Sequence, residues 1–139
     1  DNLFEKRLER DDLLPLEEGK RYLLVETSYF NPPMGLKNIL LRIKSKGYYP
    51  LLAHPERYEY MQMKEYKALK ETRISFQLNV PSLVGMYGRH VQDKAEVLLK
   101  TGMYVHIGCD THSIDSYLRL LHGNIRKNAV SNLMNLFFD

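Results

Sequence analysis

Residues 51–58 combine the pattern of a buried strand with side chains that could do chemistry. The apolar stretch stops abruptly at His54, and Pro55 and Arg57 follow it. The residue before a proline favours extended backbone, and proline cannot donate to a strand ladder, so we expect His54 to lie at a rigid strand end. An imidazole held there suits a metal ligand, and the planar guanidinium of Arg57 matches phosphate oxygens better than a lysine would.

A single strand-end histidine is more often a packed or capping residue, but other apolar stretches end in a similar way. Glu26 ends the stretch 22–26, and Asp110 and His112 follow the stretch 104–109. If the strands are parallel, their carboxyl ends meet at one edge, and these side chains and His54 form one candidate metal site. Carboxylate and imidazole ligands without a second cysteine favour a divalent ion such as manganese, iron, cobalt or zinc.

Each candidate ligand also has a simpler interpretation. Glu26 could be a solvated charge, Asp110 could cap the helix that follows, and His112 could lie in the first turn of that helix. We interpret the remaining histidines and the single cysteine as structural or surface residues: His90 as a surface or substrate-loop residue, His106 as a satisfied core histidine, His122 as a turn residue and Cys109 as a small buried hydrophobe. No Cys-x5-Arg spacing follows the cysteine, so the pattern of a phosphatase loop with a cysteine nucleophile is missing.

Apolar strands and helical stripes alternate four times along the chain. The strands are predicted at 22–26, 48–53, 74–80 and 104–109, and residues 1–20 are predicted to form an incoming helix and turn. The predicted helices are a stripe at 36–43 that stops at Gly47, a more polar helix at 60–71, a helix at 91–99 that ends at Gly102, and a last helix at 124–137. This alternation predicts an α/β fold of parallel βα units, either an open doubly wound sheet or part of a barrel.

The composition narrows the class of protein and its partners. Its 139 residues, 44% of them hydrophobic, suffice for one domain with a core of its own. The formal charge is +3, but basic and acidic residues are interleaved, so no nucleic-acid partner is implied. A single cysteine excludes an internal disulfide and fits a reducing cytoplasm. No apolar stretch approaches the roughly 20 residues that span a bilayer, and the start of the chain has no signal-peptide pattern.

Residues 54–58, His-Pro-Glu-Arg-Tyr, resemble the signature of the polymerase-and-histidinol-phosphatase (PHP) superfamily. The resemblance is to its branch of bacterial, capsule-associated, manganese-dependent protein-tyrosine phosphatases, and it extends from Tyr22 to about residue 112. The positions that match the family pattern are, as metal ligands, Glu26, His54, Asp110 and His112 and, as the phosphate-orienting residue, Arg57.

The resemblance also implies a fold, a mechanism and a substrate. The fold would be a distorted barrel of seven βα units, in which manganese ions activate a water that attacks phosphotyrosine directly. The implied substrates are the tyrosine-rich tails of cytoplasmic tyrosine autokinases that control capsule or exopolysaccharide export. Tyr58 or Tyr87 could line the mouth of such a site, or either could be a packing residue.

This sequence departs from the family pattern at its start. The family opens with a His-x-His pair on its first strand and soon adds a further glutamate and histidine, and none of these is present here. We therefore expect residues 1–139 to form the C-terminal portion of one PHP phosphatase domain, without its N-terminal metal-binding strands and with impaired activity. We also expect a second copy of the chain to cover the open sheet edge, as a homo-oligomer. A non-catalytic regulatory remnant of the domain and a small-molecule phosphatase of the histidinol-phosphatase type are the alternatives.

Overall fold

The computed structural model describes residues 7, 10, 13–16 and 21–138, so most of the predicted incoming helix at 1–20 lies outside the described residues. Within the described residues, four strands form one sheet: β1 (Tyr22–Val25), β2 (Tyr49–Ala53), β3 (Ser75–Asn79) and β4 (Tyr104–Gly108). All neighbouring strands are parallel, in the order β1-β2-β3-β4. The predicted α/β fold with a parallel sheet is confirmed.

Helices connect and follow the strands: α1 (Leu36–Ser45), a 3₁₀ turn (Pro55–Arg57), α2 (Met63–Glu71), α3 (Val80–Leu83), α4 (Arg89–Lys100), α5 (Ile114–Leu121) and α6 (Lys127–Phe138). The polar helix α2 begins at Met63 rather than at residue 60, because Gln62 and Glu65 form a capping box at that point. Among the described residues, no helix has both the length and the apolar character needed to cross a membrane.

The chain after β4 folds differently from the prediction. The sequence predicts one helix at 124–137, whereas the structure has α5 before it and starts α6 at Lys127. The hydroxyl of Ser113 starts α5 by accepting a hydrogen bond from the Ser116 amide at 3.1 Å. α5 carries an apolar stripe of its own, formed by Ile114, Tyr117, Leu118 and Leu121, but none of its residues is buried. α6 keeps the predicted stripe, with Ala129 buried and Leu133 packed against the core.

One face of the sheet packs against the helices to form the core. The register places Leu52, Phe76 and Tyr104 side by side on this face, and all three side chains are buried. The helices α1, α2, α4 and α6 supply the other half of the core, with the residues Leu40, Ile43, Tyr66, Leu69, Ala95, Leu98, Leu99 and Ala129. The four helices therefore cover the same face of the sheet.

The opposite face is strongly concave. The rings of Tyr22 on β1 and His106 on β4 lie only 5.1 Å apart, although two strands separate them. In a flat sheet, three strand spacings would keep them about 14 Å apart. A register shift between Phe76 and Gln77 on β3 places Tyr104 on the core face and His106 beside Gln77 on the other face. The expectation that His106 is a core residue is therefore wrong.

Candidate active site

The backbone of His54 follows β2 in an unusual conformation. Its φ is 35° and its ψ is 56°, in the left-handed region, whereas the following proline predicts extended backbone. Its amide donates to the Gln77 carbonyl and its carbonyl accepts from the Arg57 amide, both at 2.9 Å. The expectation of an extended His54 is wrong, because one bond to β3 and one bond within the 3₁₀ turn impose the left-handed state.

In addition to its strained backbone, His54 has a buried ring whose environment is unfavourable for stability. The residue is 4% exposed, and its Nδ1 atom is buried without a hydrogen-bond partner among the described residues. Backbone strain and an unpaired buried polar atom each cost about 1–3 kcal/mol. Residues that accumulate such costs cluster at functional sites. Burial lowers the pKa of His54 below its usual 6.5, so its imidazole is mostly neutral at pH 7, the form that binds metals.

Two carboxylates from other strand ends approach the ring of His54. Its Nε2 atom lies 3.5 Å from Oε1 of Glu26 and 3.9 Å from Oδ2 of Asp110. Glu26 follows β1 directly, and Asp110 lies two residues beyond β4. Ligands of one metal ion at bond lengths of about 2.0–2.2 Å are themselves separated by about 3–3.5 Å. The predicted meeting of these three side chains at one rim of the sheet is present.

Asp110 contacts both of the other predicted site residues. Its Oδ2 atom accepts a hydrogen bond from Nη1 of Arg57 at 3.2 Å, and its Oδ1 atom contacts Nε2 of His112, whose side chain is 85% exposed. The alternative that Asp110 caps a helix is wrong, because Ser113 is the cap of α5. Cys109 is exposed rather than buried, because the chain has already left the sheet at this point.

The guanidinium of Arg57 lies between two tyrosine rings. It is 4.3 Å from the ring centre of Tyr29 and 3.9 Å from that of Tyr87. Each such contact is worth roughly 0.5–2 kcal/mol, depending on its exposure. The side chain of Arg57 is 17% exposed. The two rings therefore hold the plane of the guanidinium at the rim, where its remaining donors can meet an anion.

Tyr29 joins this arginine to the carboxylate of Glu26. The Tyr29 hydroxyl donates to Oε1 of Glu26 at 2.5 Å. Burial and this bond raise the pKa of Tyr29 to about 12, so the hydroxyl keeps its proton and remains a donor. Of the two tyrosines predicted for the mouth of the site, Tyr87 lies there, whereas Tyr58 is a packing residue whose buried hydroxyl donates to the Ala53 carbonyl at 2.8 Å. The role of Tyr29 was not predicted, because nothing in its loop marks it.

Glu56 lies in the signature pentapeptide but points away from the rim. Residues three apart in a 3₁₀ turn share a side, so His54 and Arg57 face the rim while Glu56 faces the interior, where it is 1% exposed. Its carboxylate accepts from the hydroxyls of Ser82 and Tyr104, both at 2.8 Å. Burial raises the pKa of Glu56, and its hydrogen bonds act against that rise.

Asn79 connects Glu56 to the rim. The main-chain amide of Asn79 donates to Oε1 of Glu56 at 3.2 Å. Its side chain accepts from the Asp110 amide at 2.9 Å and donates to the Tyr87 hydroxyl at 3.5 Å. Asn79 is 2% exposed and ends β3, which is the only strand whose end was not assigned a site residue from the sequence. An asparagine at the end of β3, the one strand end without an assigned site residue, is the signal that could have identified it.

The chemistry of these donors suits a divalent cation, although the set is incomplete. Within the described residues, no three His, Cys, Asp or Glu side chains are grouped so as to hold one metal ion. Glu26, His54, Asp110 and His112 nevertheless offer two carboxylates and two imidazoles, the donors that manganese, iron and zinc share. The Nδ1 atom of His54 is buried and has no hydrogen-bond partner among the described residues, a feature that is typical of functional sites. The residues present fit part of a metal site.

A parallel sheet with carboxylates, imidazoles and a stacked arginine at the carboxyl ends of its strands defines an α/β protein with the rim site typical of that class. A model of the family "Capsular polysaccharide synthesis, CpsB/CapC" matches residues 2–126. The chain therefore belongs to the CpsB/CapC family.

Two curated relatives and one solved structure resemble this chain. The tyrosine-protein phosphatase YwqE of Bacillus subtilis (strain 168) is 26% identical over 114 residues, which are 79% of this chain and 44% of that protein. The tyrosine-protein phosphatase CpsB of Streptococcus pneumoniae is 29% identical over 123 residues, which are 80% of this chain and 48% of that protein. The chain thus spans about half the length of the curated relatives that it matches.

The similar solved structure comes from work on YwqE from B. subtilis and CpsB from S. pneumoniae, described as unique metal-dependent tyrosine phosphatases. Its TM-score is 0.71 at 22% identity, and the match covers 95% of this chain and 57% of the solved chain. At this identity the likeness supports the fold of the described sheet and helices.

Proposed function

We propose that the chain is part of a metal-dependent protein-tyrosine phosphatase that removes phosphate from a bacterial tyrosine autokinase in capsule or exopolysaccharide production. The observation that carries this proposal is the meeting of Glu26, His54, Arg57 and Asp110 at one rim. The family and the names of the two curated relatives support the same reaction.

The roles follow from chemistry and placement. Glu26, His54, Asp110 and His112 are the proposed metal ligands, and Mn²⁺ is the proposed metal, with Fe²⁺, Co²⁺ or Zn²⁺ as substitutes. A divalent metal supplies Lewis acidity, which makes a water nucleophilic near neutral pH and offsets phosphate charge.

Arg57 holds the phosphate. One guanidinium nitrogen of Arg57 donates a hydrogen bond to Asp110, and the other guanidinium N–H groups remain for phosphate oxygens. Because Tyr29 and Tyr87 fix the guanidinium plane, little ordering is required when phosphate binds. The same two rings give the site aromatic walls beside the phosphate, which suits an aryl phosphate such as phosphotyrosine.

The fold proposal is that these units belong to a distorted barrel of seven βα units. Its supports are the strand order, which runs β1-β2-β3-β4 without the reversal of a doubly wound sheet, and the concave face that brings Tyr22 to His106. We further propose that the remaining metal ligands come from residues outside this chain, and that the protein is cytoplasmic, because its single cysteine fits a reducing compartment. We also propose that a second copy of the chain covers the open sheet edge, because open strand edges favour association.

A non-catalytic regulatory domain is the second candidate. The observation in its favour is that no three potential ligands among the described residues form a metal group. The metal content of the protein that carries its full set of metal ligands separates the two candidates, because a regulatory remnant holds one metal or none. Turnover of a phosphotyrosine peptide compared with histidinol phosphate separates a protein phosphatase from a small-molecule phosphatase.

The decisive experiment is Arg57→Lys in the protein that carries its full set of metal ligands. The lysine keeps the charge but loses the paired N–H donors of the guanidinium and its stacking on the two tyrosine rings. Turnover of a phosphotyrosine peptide should therefore fall by about 10- to 1,000-fold, while the metal content stays the same. The matched control is Arg119→Lys, because Arg119 is exposed on α5. Equal turnover by the Arg57 and Arg119 variants would remove Arg57 from the site and contradict the phosphatase proposal.

A further inference from the structure

Asn79 is a buried polar residue whose side chain bonds belong to the rim rather than to the core. Its Oδ1 atom accepts the Asp110 amide at 2.9 Å, and its Nδ2 atom donates to the hydroxyl of Tyr87 at 3.5 Å. It thereby contacts both the segment that carries a proposed metal ligand and the ring that lies over Arg57.

The buried Glu56 fixes the main chain of Asn79. Oε1 of the buried Glu56 accepts the main-chain amide of Asn79 at 3.2 Å and the Ser82 hydroxyl at 2.8 Å. The other oxygen of Glu56 accepts the Tyr104 hydroxyl at 2.8 Å, which ties the network to β4. The 3₁₀ turn that carries His54 and Arg57 is therefore joined through one carboxylate to the ends of β3 and β4.

The placement of Asp110 depends on this network. Asp110 lies two residues beyond β4, after the sheet hydrogen bonds have ended, and its side chain contacts His112 and Arg57 and lies near His54. A small rotation of its backbone would move the carboxylate away from these partners. The bond from its amide to the buried Asn79 opposes such a rotation.

We propose that Asn79 is a positioning residue that holds Asp110 in the orientation needed to bind metal, and that Glu56 fixes Asn79 in turn. This inference rests on the proposed function, in which Asp110 is a metal ligand. Partners that orient a ligand typically contribute about 10- to 100-fold to metal affinity or activity. Asn79 acts through Asp110 and is not assigned any contact with substrate.

The test compares Asn79→Ala and Asn79→Leu with wild type, using the 139-residue chain. The control is Asn132→Ala, because Asn132 also makes a side-chain to main-chain bond, to the Asn128 carbonyl at 3.1 Å, but on α6. One readout is the exchange rate of the Asp110 amide by NMR, which should rise about tenfold or more when its acceptor is lost. The other is Mn²⁺ affinity by calorimetry, which should fall by about 10- to 100-fold.

In the Asn79 variants, we expect both faster exchange of the Asp110 amide and weaker Mn²⁺ binding. In the Asn132→Ala control, we expect neither change. The inference is overturned if the Asp110 amide stays protected, or if the amide is released while Mn²⁺ affinity is unchanged. The leucine variant keeps the number and branching of the side-chain heavy atoms, so it serves if the alanine variant does not fold. If the 139-residue wild type binds no Mn²⁺, binding requires the ligands proposed to come from outside this chain, and the amide exchange alone then decides whether Asn79 positions Asp110.

Discussion

Replacing Glu56 by alanine should destabilise the protein more than any exposed substitution, although Glu56 lies within a signature that otherwise faces the rim. Its carboxylate accepts three hydrogen bonds, from Asn79, Ser82 and Tyr104, in a place where it is 1% exposed. Each bond to a charged group contributes about 1.5–3 kcal/mol. Bonds that share one acceptor are not additive, so we expect Glu56→Ala to lower the free energy of unfolding by about 3–5 kcal/mol.

The assay is urea unfolding followed by far-UV circular dichroism, with the dependence on urea compared between variants to confirm that the same surface is exposed. Glu56→Gln keeps one acceptor oxygen and should lose less, about 1–3 kcal/mol. Glu71→Ala is the control, because Glu71 is exposed at the end of α2 and its loss should stay within about 0.5 kcal/mol.

If the alanine variant does not fold, Glu56→Gln and Tyr104→Phe, singly and together, provide the same information. The double variant should be more stable than the sum of the single losses predicts, because each single substitution weakens the same bond between residues 56 and 104, and that bond can be lost only once. A loss below about 1 kcal/mol in Glu56→Ala would refute the argument that this carboxylate joins the 3₁₀ turn to β3 and β4.

Three further predictions concern parts of the molecule away from the rim. Burial lowers the pKa of Lys94, so between its folded pKa and the usual 10.5 the unfolded chain binds more protons. Stability relative to Lys94→Met should therefore rise in urea unfolding as the pH is raised toward 10.5; a constant difference would contradict this. Arg73 and Gly102 follow the C-terminal ends of α2 and α4 with φ of 59° and 70°, a backbone conformation that favours glycine. In thermal unfolding, Arg73→Gly should therefore stabilise the protein and Gly102→Ala should destabilise it, each by about 0.5–1 kcal/mol. Two substitutions that change stability in the same direction would contradict this. Sedimentation should show a dimer, because open strand edges favour association, and a monomer at all concentrations would argue against that pairing.

The sequence by itself determined the sheet and the position of the site. Apolar stretches that alternate with helical stripes specify parallel βα units, and the carboxyl ends of parallel strands must share one edge. Glu26, His54 and Asp110 could therefore be assigned to one rim from their places in the chain. The carboxylate oxygens of Glu26 and Asp110 lie 3.5 and 3.9 Å from Nε2 of His54. The identity of Arg57 as a rim residue followed from its spacing after the same strand.

Only the tertiary structure decided what surrounds these residues. The inward direction of Glu56, the left-handed His54 and the exposed Cys109 depend on how the chain leaves each strand, and local periodicity carries no signal for such exits. The stacking of Tyr29 and Tyr87 on Arg57, and the link from Asn79 to Asp110, join residues that are about 30 positions apart. Contacts of that kind arise from the curvature of the sheet and the packing of its loops, because each side chain has many available partners until the fold has fixed the distances between them.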